Sequence, residues 1–229
     1  MADSKRGTEK DYLQTQIVTT ATNDKNEPRE QYIWSRVWKE RLYDDSKKRI
    51  MLIGDSIIEG YSFFVQEEMK DEYIVSRWTN SLAIDNRFAI GLMEFALLSD
   101  EKIKYDVIHF THGGHGKWTP IDVYEKAYDE TIKRLIEICP DSKIIIATPT
   151  EYCNAFDSGV PSVNQEATAL LRERGEVAKK IAAKYGLAVN DMFAVSQKNR
   201  ELHSADGVHY TDDGYSVLAK AVVKAAKEL

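Results

Sequence analysis

From Arg49 onward, short apolar runs alternate with longer stretches in which apolar residues return every three or four positions. The runs "RIMLIG", "YIVSR", "DVIHFT", "KIIIATP" and "LAVND" have strand length and carry many β-branched or aromatic residues. Between them Val123, Ala127, Tyr128, Thr131, Leu135 and Ile138 keep helical spacing after the cap and first-turn pair Thr119 and Pro120. Tyr215, Leu218, Val222 and Ala225 share one face of a final helix. This alternation predicts βαβ units and a parallel sheet covered by helices on both sides. For five such strands the common doubly wound order is 2-1-3-4-5, with the chain reversing between strands 1 and 3. The crevice at that reversal is bounded by "GDS" at 54 to 56 and "THGGHG" at 111 to 116.

Residues 1 to 48 are mostly polar. Within "YIWSRVWKERLY", Ile33, Trp34, Val37, Trp38, Arg41 and Leu42 stand at i, i+3, i+4 spacing, which predicts one amphipathic helix packed on the domain rather than a partner-binding face. The expected organisation is therefore an N-terminal extension, 1–48, and one main domain, 49–229.

The chain has 31 Lys and Arg against 37 Asp and Glu, a net charge of −6, with the basic residues scattered. Nucleic acid is not an expected partner. No apolar run reaches the length of a membrane span, and "MADSKRGTEKDY" lacks the apolar core of a secretory signal. The expectation is a soluble cytoplasmic protein, or a secreted one whose leader has been removed. Cys139 and Cys153 form no CxxC pair and no disulfide framework, so both are expected as reduced thiols.

The chemistry turns on Ser56. Taken alone, a serine between a glycine-bearing turn and "IIEGYSFFVQEEMK" is the N-cap of a helix. The same position places backbone amides and the helix dipole beside its oxygen, where an oxyanion would be stabilised. A nucleophilic serine needs a base within reach and a carboxylate to orient that base. In "HSADGVHYTDDGY", Asp206 and His209 supply that pair, three residues apart on a loop just before the last helix.

Gly54-Asp55-Ser56 after the first strand, the loop after the third, and Asp206-Gly207-Val208-His209 before the last helix resemble the SGNH hydrolases, or GDSL esterases, over residues 49 to 229. The specificity lies in three motifs occurring in order on the expected elements. The resemblance implies a flavodoxin-like three-layer α/β/α fold and cofactor-free ester hydrolysis through an acyl-enzyme. Ser56 matches the nucleophile, His209 the general base and Asp206 its orienting acid. The family's oxyanion donors are the nucleophile's amide, a glycine amide after strand 2 and an asparagine in a G-x-N-D block. Here Ser81 stands for the glycine, and "GGHG" puts His115 and Gly116 in place of the asparagine and aspartate. A neutral histidine retains one N–H and can replace the asparagine.

Asp55, Asn80, Trp78 and Trp118 lie near the strand ends and are candidate substrate contacts. Tyr152 and Phe156 also follow strand ends, where they either stack on a sugar or close the rim of the core. His109, His112 and His115 have H-x-x-H-x-x-H spacing, but an odd separation along a strand sends 109 and 112 to opposite faces, so no metal site is expected. The expected substrate is a small acyl ester, acetyl above all, of a carbohydrate or related alcohol. A lipase or thioesterase, or a noncatalytic ligand-binding module, are the alternatives.

Overall fold

The computed structural model describes residues 33–42 and 44–229. Its strands are β1 (Ser35–Trp38), β2 (Lys48–Gly54), β3 (Tyr73–Asn80), β4 (Val107–Thr111), β5 (Lys143–Ala147) and β6 (Ala188–Asn190). The helices are α1 (Ser56–Met69), α2 (Ala89–Leu98), α3 (Ile121–Ile138), α4 (Gln165–Tyr185), α5 (Met192–Lys198) and α6 (Asp212–Lys227). The sheet runs β1-β3-β2-β4-β5-β6, with every neighbouring pair parallel except β1 and β3. The expected five-stranded, all-parallel sheet is thus corrected to a mixed sheet of six strands.

Alternation along each strand divides the core. Met51, Ile53, Trp78, Ile108, Phe110, Ile144 and Ile146 face α2, α3 and α4. Their neighbours Ile50, Leu52, Val75, Val107, Ile145 and Ala147 face α1 and α6. Three layers result, because parallel strands are apolar on both faces and need helices on each. The Thr119–Pro120 pair does precede α3, but Thr119 gives no cap bond; its hydroxyl donates to Asp85 at 3.2 Å.

The amphipathic helix expected around Ile33 to Leu42 is replaced by β1, while residues 1–32 and Tyr43 lie outside the described residues. Ile33 and Val37 are four apart, a separation that suits one face of a strand as well as of a helix. Both pack on the core, and Ser35 between them accepts the Trp78 indole N–H at 2.8 Å. Arg36 and Trp38 alternate with them on the other side, Trp38 lying against Arg77. The edge of β3 would otherwise present a row of unpaired backbone groups. That tertiary demand, and not the local spacing, decides the conformation.

Candidate active site

β2 ends at Gly54, and α1 begins two residues later. The N-cap is Asp55, whose Oδ1 accepts the Ile57 amide at 3.0 Å, so the cap role considered for Ser56 belongs to its neighbour. The Ser56 hydroxyl is thereby left for another partner. It lies 2.8 Å from His209 Nε2, and His209 Nδ1 lies 2.6 Å from Asp206 Oδ2. With a neutral imidazole, Nδ1–H donates to the carboxylate and Nε2 accepts from the serine. Residues 153 positions apart are joined in one hydrogen-bonded relay.

The loop carrying Asp206 and His209 is shaped by its own bonds. Asp206 Oδ1 accepts from the amides of Val208 and His209, both at 2.8 Å, and from the Ser204 hydroxyl at 2.9 Å. Partial burial would raise the Asp206 pKa, but these donors and the His209 ring outweigh it and hold the carboxyl well below its usual range. Gly207 has φ +73°, and a Cβ there would lie 2.5 Å from the Cys153 carbonyl oxygen. The Cys153 amide donates to the Gly207 carbonyl at 2.7 Å, and the Phe156 amide to that of Ala205 at 2.9 Å. The segment after β5 therefore clamps the loop.

Beneath this clamp the buried Glu151 holds Arg200 through two bonds of 2.7 and 3.0 Å. Buried His203 sets its ring nitrogens 2.9 and 3.1 Å from the carbonyls of Arg200 and Glu151, and its ring lies against that of Tyr210 with centroids 4.3 Å apart. No local pattern marks Glu151 as the base of the Asp206–His209 loop, since its contacts with Arg200 and His203 span 49 and 52 positions. Burial pushes the Cys153 thiol up to about 11. Both cysteines are free.

Three other candidates are corrected. The Ser81 amide, expected to face an oxyanion, donates to the Trp34 carbonyl at 3.0 Å because β1 continues its pairing beyond β3. Trp78 is buried in the core between β1 and α2, not in the crevice. Asn80 is buried too; its Nδ2 donates to the Gly54 carbonyl at 3.3 Å and its Oδ1 accepts the Leu82 amide at 3.0 Å, so it fastens the strand end before Ser56. Trp118 is partly exposed in the loop between Gly116 and α3. Asp55 and the ring of Tyr152 line a cavity of about 20 Å³ with Ile57, Tyr61, Thr111 and Met192.

The loop after β4 is held from behind. His112 Nε2 donates to the Leu82 carbonyl at 2.9 Å, and burial lowers its pKa to about 3. His109, on the opposite face, accepts from Asn190 at 3.1 Å and meets the edge of Tyr61; burial lowers it to about 4. The three histidines do not converge, and among the described residues no group of three or more such side chains could hold a metal ion. Arg174 of α4, fully buried, donates to the carbonyls of Gly113 (2.8 Å), His115 (2.7 Å) and Gly116 (2.5 Å) and lies 4.4 Å above the Tyr124 ring.

The family model described as GDSL-like Lipase/Acylhydrolase matches residues 52–217, well over half of the chain. The chain belongs to the GDSL-like lipase/acylhydrolase family. The match spans Ser56, His209 and Asp206 and begins after β1. Solved structures of similar fold include the acetylxylan esterase Axe2 from Geobacillus stearothermophilus, at 17% identity and TM-score 0.63, covering 78% of this chain and 93% of that one. The acetyl xylan esterase AlAXEase is similar at 22% identity and TM-score 0.58, over 77% and 98% of the two chains. A lipase/acylhydrolase from Enterococcus faecalis is similar at 20% identity and TM-score 0.60, over 79% and 96%. No curated protein sequence matches the chain. No helix among the described residues is long and apolar enough to cross a membrane.

Proposed function

We propose that this GDSL-like protein is a serine esterase that removes a small acyl group, acetyl above all, from a carbohydrate or related alcohol. The observation that carries the reading is the relay from Ser56 through His209 to Asp206. A serine hydroxyl attacks a carbonyl only as a base takes its proton. His209 Nε2 is placed to take it, and the ionised Asp206 holds the opposite N–H, fixing the tautomer and favouring the imidazolium that forms. The alcohol leaves with the proton returned from His209. Water then enters by the same base and releases the acid from the acyl-enzyme.

The oxyanion needs donors aimed at it. The Ser56 amide at the first turn of α1 has no acceptor within the helix, and the helix dipole adds to its field. His115 stands where the family carries an asparagine and is proposed as a second donor. The acetylxylan esterases of similar fold point toward a carbohydrate alcohol. Trp118 is a proposed contact for it.

Acetate release from a panel of acetylated saccharides tests the reading, alongside a nitrophenyl ester series of increasing acyl length. Acetate release with a rate that falls as the acyl chain lengthens supports it. Preference for long acyl chains overturns the acetyl assignment, and inactivity on every ester overturns the esterase reading.

A further inference from the structure

Arg174 is at once fully buried and bound to no carboxylate: its acceptors are the three carbonyls of Gly113, His115 and Gly116. Removing a cation from water is costly, and the three carbonyls and the Tyr124 ring, with the more distant charges of Asp85 and Glu173, offset it. A planar guanidinium with five fixed donors can hold three carbonyls of one loop together, which an ammonium cannot. Its bonds reach 58 to 61 positions along the chain, from the middle of α4 to the segment after β4.

The direction of these carbonyls sets the other side of the loop. In a planar trans peptide the C=O and the following N–H point opposite ways. With the Gly113 carbonyl turned onto Arg174, the Gly114 amide turns away from it. Gly114 itself sits beside the neighbour of Ser56: a Cβ there would lie 3.0 Å from Asp55 Oδ2 and 2.5 Å from the Tyr152 hydroxyl. Gly116, with φ +64°, lets the chain bend back so that its carbonyl also reaches the guanidinium.

We propose that Arg174 is a positioning residue for the reaction at Ser56, holding residues 113 to 116 so that the Gly114 amide and His115 are presented to the developing oxyanion. The inference rests on the esterase reading above. In this chain a cation behind the loop does what a side chain within the loop would otherwise have to do. Its effect belongs to the transition state, because the donors it sets act most strongly when charge develops.

The test is the kinetics of Arg174→Lys and Arg174→Gln on nitrophenyl acetate, with kcat referred to active centres counted by burst titration, so that a low folding yield leaves the comparison intact. Loss of loop geometry lowers kcat by about 10- to 100-fold while KM stays within about twofold. Combined with His115→Ala, which removes the ring donor, the two losses are less than multiplicative, as expected of residues acting through one loop. A kcat for Arg174→Lys within about twofold of the unsubstituted protein, or losses that multiply, overturns the assignment. Absence of any burst from the unsubstituted protein removes the esterase reading itself, a different result from an active protein indifferent to position 174.

Discussion

Asp55 and Ile57 make the bond that frees the neighbouring serine: the carboxylate accepts the helix amide at 3.0 Å, so Ser56 is not needed as a cap and its hydroxyl turns to His209. Asp55→Ala removes this cap and should lower stability by about 1 kcal/mol. It should also let Ser56 compete for the vacated amide, so turnover falls further than stability alone explains. Urea midpoints and kcat per titrated centre check the two effects, and Asp55→Asn, which still caps, should recover most of the stability.

Asp206 carries four hydrogen bonds, from the His209 ring and amide, the Val208 amide and the Ser204 hydroxyl. Because its folded pKa is depressed, its contribution to stability is present above the ordinary value of 3.8 and is lost only as pH falls through the lower, folded one. At any pH above 3.8 it therefore stays ionised. Asp206→Asn should lower kcat by about 10³- to 10⁴-fold by favouring the wrong imidazole tautomer. Steady-state kinetics on the folded variant decide this; a loss under tenfold would contradict the role.

Buried His109 and half-buried His112 give the fold an acid limit of their own. Their pKa values fall from 6.5 to about 4 and about 3, mainly through desolvation. Below pH 6.5 the unfolded chain binds protons that the native state refuses, so stability is full above that pH and declines toward the folded values. The slope is about 1.4 kcal/mol per pH unit for each histidine. Denaturant melts between pH 6.5 and 4.5 should show this decline, and His109→Asn should make it shallower by about one histidine's share.

Much of this architecture was legible in the chain. The five runs beginning at Arg49 became the parallel strands, and Ser56, Asp206 and His209 came together because each motif sits at the end of an element that the fold brings to one edge. β1 was not legible, since Ile33 and Val37 fit helix and strand alike and only the open edge of β3 chooses between them. The same strand explains two misplaced residues: by pairing with β3 it buries Trp78 and takes the Ser81 amide. Arg174 left no local trace. In sequence it is a polar position of an amphipathic helix, and its three acceptors lie in a distant loop.

Ser35→Ala tests how closely β1 is knitted to the domain. It removes the exposed hydroxyl that accepts the Trp78 N–H, which should cost about 1 kcal/mol. Turnover per active centre should change little, since Trp78 faces the core. Calorimetry and the nitrophenyl acetate assay together separate a stability defect from a catalytic one.

The central claim is that Ser56 is an activated nucleophile, and fluorophosphonate labelling followed by peptide mapping tests it most directly. The relay predicts one adduct per chain, on the peptide carrying Ser56, with labelling abolished in Ser56→Ala and strongly slowed in His209→Ala. An adduct on Ser62 or Ser81, or undiminished labelling of Ser56→Ala, would contradict it.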